Sequence, residues 1–133
     1  KSGVRNSLIA RLRHTFRRTK VIRYGRYRRQ DLFDAARRSR ACVYLSDDDR
    51  GPLALAEILL AGCPTVGTPT GAPFIQPGRT GIILDRLDPT AIVEAIENCH
   101  EFDRRSVSVL AAEQFDTDRI LDTLLAALER TRG

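Results

Sequence analysis

Ala41-Cys-Val-Tyr-Leu45, Ser46-Asp-Asp-Asp-Arg-Gly-Pro52, Leu53-Ala-Leu-Ala-Glu-Ile-Leu-Leu-Ala61 and Gly62-Cys-Pro-Thr-Val-Gly67 follow one another without a break. The first piece is a short run with no charge, as expected of a strand covered on both faces by helices. The second is an acidic loop. Pro52 fits the first turn of a helix, where its missing N–H costs nothing. Leu53–Ala61 is apolar nearly all round, which predicts a buried helix, and Gly62 with Pro64 stops it. Thr65–Gly67 is a further strand, and a Gly/Pro-punctuated loop runs from Thr68 to Gly81. Strand, loop, helix, strand, loop in this order predicts a parallel sheet, with both loops at its carboxyl edge, where open α/β folds bind ligands.

Outward from this stretch the alternation continues. Val4, Leu8, Leu12 and Phe16 recur every four residues and predict an amphipathic helix over 4–18. Val21–Tyr24 reads as a strand closed by Gly25, and about Arg28–Ser39 as a helix, with Asp31 early and Arg37 and Arg38 late, which suits the helix dipole. Gly81–Leu84 reads as another strand. Asp88-Pro89 marks a helix start, and two more helices, about 102–114 and 117–131, complete the chain. Leu121, Leu124, Leu125 and Leu128 form a stripe on the last, with Asp116 as its cap. The fold class is therefore α/β: a Rossmann-like, three-layer domain with a parallel sheet of about four strands and C-terminal helices.

The 133 residues allow one domain, and the chain contains no methionine, so it is expected to be part of a longer protein. No apolar run reaches membrane-span length and no signal-peptide pattern opens the chain. The three cysteines (Cys42, Cys63, Cys99) show no CxxC spacing and read as reduced, partly buried thiols. A cytoplasmic setting follows, compatible with peripheral attachment at the inner face of a membrane. Residues 1–40 hold 14 Arg/Lys against two acids, whereas residues 41–133 hold 8 against 15. That basic arm lacks a nucleic-acid motif and, apart from Phe16, Tyr24 and Tyr27, lacks stacking aromatics, which argues against nucleic acid as the partner. His14 and His100 read as surface histidines, and no metal cluster is visible.

Glu57 is the residue that demands a function. A carboxylate among aliphatic side chains must reach a donor, either a ligand or an arginine of the basic arm. It stands eight residues after Asp49, and both can face the mouth of one crevice. Between them, the Leu53 and Ala54 amides open the helix and can hold an anion such as phosphate. For Asp49, the alternative is that Asp47, Asp48 and Asp49 form a solvated turn.

Asp49-x7-Glu57, then Ile58-Leu-Leu-Ala-Gly-Cys-Pro-Thr-Val66, Thr70-Gly-Ala-Pro73 and Gly78-Arg-Thr-Gly-Ile-Ile83 together resemble the retaining glycosyltransferases of family 4, which have the GT-B fold. The helix and strand over Leu32–Ser46 are similar to the family's as well, and the resemblance spans about residues 20–98. It implies that residues 1–133 are a fragment of the C-terminal, nucleotide-sugar-binding domain of such an enzyme. The donor would be a nucleotide-diphosphate sugar, with no cofactor and no metal. Glu57 would bind ribose, Asp49 the sugar hydroxyls, and the Leu53 and Ala54 amides the diphosphate. Gly51 would stand in the family's Gly-Phe-Gly segment, which here reads Arg50-Gly51-Pro52. Asp49 replaces the family's usual Glu, Pro52 removes one N–H donor, and Phe74 stands where the family has Glu. The acceptor-binding domain and the cationic pair that neutralises the diphosphate are expected outside the chain, so the isolated chain is predicted to be inactive and to contain no catalytic residue. Its partners would be the donor and a missing N-terminal domain or a second copy. Two other readings stand beside this one: a non-catalytic sugar-nucleotide-binding or regulatory module with a degenerate pocket, and a GT-B nucleotide-sugar epimerase.

Overall fold

The structure, a computed structural model, describes residues 25–26, 28–47, 52–69 and 73–132. The helix expected over 4–18, the strand expected over 21–24 and His14 lie outside the described residues. In chain order the elements are α1 (Arg29–Arg38), β1 (Cys42–Tyr44), α2 (Leu53–Leu60), β2 (Thr65–Gly67), β3 (Gly81–Ile83), α3 (Pro89–Asn98), a 3-10 turn (Cys99–Glu101), α4 (Arg104–Gln114) and α5 (Thr117–Arg132).

The three described strands form a parallel sheet in the order β1-β2-β3, with Cys42 opposite Thr65 and Thr65 opposite Gly81. Side chains alternate across such a sheet. Tyr44 and Ile83 pack with Leu55, Leu59, Val107 and Ala111 of α2 and α4. Val66 and Ile82 point the other way, onto Ala95 and Cys99 at the end of α3. A third cluster joins α1 to α2 through Ala36, Ile58 and Cys63. The expected three-layer α/β architecture is present.

Local chemistry sets the element ends. Gly62, at φ 75°, closes α2 in a Schellman motif: its N–H bonds Leu59 O at 2.8 Å and the Cys63 N–H bonds Ile58 O at 3.2 Å. Asp88 Oδ1 accepts from the Thr90 N–H at 2.8 Å with Pro89 opening α3. Asp103 Oδ2 takes both the N–H and the hydroxyl of Ser106, which holds its carboxyl below the ordinary range, and Asp116 caps α5. Gly81 is fixed by close approach, since a Cβ there would lie 1.9 Å from Thr65 O.

Arg104 closes the amino edge of the sheet. Its guanidinium donates to the carbonyls of Ser39, Ala36 and Arg37 at the end of α1, where the helix's own ladder of bonds runs out. A Cβ on Gly62 would meet Arg104 O at 2.5 Å, so the C-terminus of α2 and the start of α4 touch backbone to backbone.

Two expectations need correction. α2 is not buried all round: Leu55, Ala56, Ile58 and Leu59 are, but Leu53, at the helix start, is 77% exposed. Pro52 sits at the N-cap, one position before the first turn. The leucine stripe of α5 exists, but Leu121, Leu124, Leu125 and Leu128 are each at least half exposed.

Candidate functional site

Because β1 and β2 are parallel, the residues that follow them, 45–47 and 68–69, leave the sheet at the same carboxyl edge. The two are joined directly: the buried Thr68 hydroxyl donates to Ser46 O at 2.6 Å. This bond ties the chain leaving β1 to the chain leaving β2 at that edge.

α2 begins at that edge. Leu55 and Ala56 N–H groups turn back to Pro52 O at 2.8 and 3.1 Å. The Leu53 and Ala54 amides are left as the first-turn donors directed out of the helix. Glu57 lies three and four residues on, and therefore on the same side of the helix as that turn. Leu53, Ala54 and Glu57 are thus gathered at one rim. Asp49 and Gly51 lie outside the described residues, as do Asp48 and Arg50. Asp47 is exposed.

The Glu57 side chain is 14% exposed, and Arg29 Nε stands 2.6 Å from its Oε1. The arginine reaches it because α1 precedes β1 and runs back across the sheet, which returns its first residue to the carboxyl edge. Arg29 is itself 70% exposed and stacks at 5.9 Å over the Phe33 ring. The site therefore carries a carboxylate, a guanidinium and outward amides within one short stretch. Such a set can accept hydroxyl protons at one point and hold an anion at another.

Arg29 and Thr68 are the two residues that sequence reasoning did not single out. Arg29 belongs to the basic arm, so the structure realises the alternative in which an arginine of that arm meets Glu57, and its place at the start of a helix leading into β1 is the signal that selects it. Thr68 carries a weaker signal, a hydroxyl one residue past a strand end.

The cysteines are remote in chemistry from this rim. Burial pushes the Cys42 thiol up to about 12 and the Cys99 thiol to about 11, and it raises Cys63 as well. They are free thiols that burial holds toward the protonated form. Among the described residues no group of His, Cys, Asp or Glu could hold a metal ion, and no helix is long and apolar enough to cross a membrane. His100 is exposed and turns Nδ1 to the carbonyl of Glu97. A cavity of about 490 Å³ lies between Gln76 and Arg79 on one side and Gln114 and Arg119 on the other, away from the α2 rim.

Compared with known families, residues 3–101 match the one described as Glycosyl transferases group 1. No curated protein matches the chain.

Proposed function

The chain belongs to the group 1 glycosyl transferases, and from that premise we propose that it is part of the C-terminal, donor-binding domain of a retaining enzyme of the GT-B type. Its donor is a nucleotide-diphosphate sugar. The observation that carries this reading is Glu57, a mostly buried carboxylate in an apolar helix at the carboxyl edge, held by a solvent-exposed arginine. Ribose hydroxyls can donate to Glu57, while Arg29, released from the pair, can turn to the diphosphate beside the Leu53 and Ala54 amides. Asp49 would meet the sugar hydroxyls, and Gly51 would let the backbone approach the donor. Displacement at the anomeric carbon also needs the acceptor and full charge neutralisation held in place, so these 133 residues alone are expected to show no sugar transfer.

The test is calorimetric titration of the full chain with a nucleoside diphosphate. Glu57→Ala should weaken binding about tenfold or more, since a hydrogen bond to a charged group contributes about 1.5–3 kcal/mol. Equal binding by wild type and a folded Glu57→Ala variant would reject the assignment.

A second reading keeps the fold without the chemistry. Pro52 opens α2 without an N–H, which removes one donor from the phosphate end of the crevice. A regulatory or sugar-nucleotide-sensing module would tolerate that loss. Binding of the nucleoside diphosphate without any transfer by the complete protein would favour it.

A further inference from the structure

We propose that a second anion site lies at the amino edge of the sheet, opposite the donor crevice, and that it takes a phosphate-bearing ligand carrying two or more negative charges. A cavity of about 410 Å³ opens there, lined by Arg37, Arg38, Ser39, Arg40, His100 and Arg104 over a floor that includes Pro64, Cys99 and Phe102. None of its lining residues is acidic.

Helix C-termini attract cations, so the ends of α1 and α3 could in principle account for these charges. They do not account for all of them. The last carbonyls of α1 are already taken: Ala35 O and Ala36 O accept from Ser39, and Ala36 O, Arg37 O and Ser39 O accept from Arg104. At the end of α3, His100 takes the Glu97 carbonyl. Asp103, beside Arg104 in sequence, turns its carboxylate into its own helix, onto Ser106. Among the described residues Arg38 donates its Nε to Asp34 O at 3.0 Å. Among the described residues the Arg37 and Arg40 side chains have no ion-pair partner, and Arg40 lies beyond the end of α1, where the helix dipole no longer explains it.

The result is a concave patch of like charge with no carboxylate in its lining. Like charges so placed repel one another, and a bound anion removes that cost. Arginine forks match phosphate oxygens in geometry as well as sign. The volume falls in the range of small-molecule sites, about 300–1,000 Å³, and is too large for one inorganic phosphate. It suits a diphosphate or a phosphorylated small molecule. The same chemistry could come from a soluble metabolite or from the headgroup of an anionic phospholipid.

The experiment titrates the full chain with inorganic pyrophosphate and follows backbone amide resonances. Shifts are expected at residues 37–41 and 99–104, separately from any at 53–57 in the donor crevice. In the Arg37→Gln/Arg40→Gln double variant, both sites being exposed, the first set should weaken at least tenfold while the second is unchanged. Absence of the first set in the wild type, or its persistence in the variant, would overturn the proposal. Because the two sets are read apart, failure at one edge leaves the other reading standing. Co-sedimentation with phosphatidylcholine vesicles, with and without phosphatidic acid, identifies the source: acid-dependent pelleting that the double variant loses indicates a headgroup, and pyrophosphate binding without pelleting indicates a soluble ligand.

Discussion

The Thr68 hydroxyl and the Ser46 carbonyl meet at 2.6 Å at the carboxyl edge of the sheet. One bond thereby ties the segment after β1 to the segment after β2. Thr68→Val keeps the shape and removes the donor. It should lower nucleoside diphosphate affinity about threefold to tenfold, the range of one net hydrogen bond. Thr68→Ser should restore most of it, as read by calorimetry on variants with unchanged circular dichroism.

Arg29 and Glu57 form an ion pair with one exposed partner, so solvent screens it. A double-mutant cycle between Arg29→Ala and Glu57→Ala in urea unfolding should give a coupling of at most about 1 kcal/mol. The same cycle read on ligand affinity should be larger if both residues touch the donor. Coupling in stability with none in binding would reduce the pair to a surface contact.

Arg104 offers a larger effect on stability. Arg104→Ala leaves the carbonyls of Ala36, Arg37 and Ser39 without their charged donor. A loss of about 2–3 kcal/mol is expected, and Arg104→Lys should recover only part, since an ammonium cannot span three carbonyls as a planar fork does.

Glycine substitutions separate two causes of backbone demand. Gly78 has φ 72° with open space around it, so Gly78→Ala should cost on the order of 1 kcal/mol from conformation alone. Gly81→Ala drives a Cβ into Thr65 O and must separate β2 from β3. It should leave little folded protein under conditions where the Gly78 variant melts cooperatively.

Much of the fold was legible because its signals are local. Asp88-Pro89, Gly62 after an apolar run, and Asp116 before the last helix each mark an element end through chemistry confined to a few residues. Glu57 was legible for a related reason, being a carboxylate where only aliphatic neighbours stand. Its partner was not, since any of the arm's arginines satisfies the same requirement until the return path of α1 is known. Thr68 and Arg104 act on carbonyls 22 and 65–68 residues away in sequence, and no periodicity encodes such pairs. Nor does apolarity say what covers a surface: Leu53 and the α5 leucines have core-type side chains in exposed places.

Alkali should unfold the chain earlier than its charge would suggest. The Cys42 and Cys99 thiols rise from an ordinary value near 9 to about 12 and about 11 in the folded state. Above pH 9 the unfolded chain therefore releases protons that the folded chain retains, and stability falls as pH rises through that window. Urea midpoints measured from pH 8 to 11 should decline, and Cys42→Ala should flatten the decline. In the same window these thiols should resist alkylation in folded protein.

The described strands lie side by side in the order in which they occur along the chain, and this bears on how the protein assembles during synthesis. Each strand meets its neighbour as soon as it emerges, without waiting for a later segment to be inserted between them. The piece that arrives last among the sheet's covering elements is α4, and with it Arg104. Until that residue is made, the carbonyls of Ala36, Arg37 and Ser39 lack their guanidinium donor. One guanidinium thus links α4 to carbonyls synthesised more than sixty residues earlier.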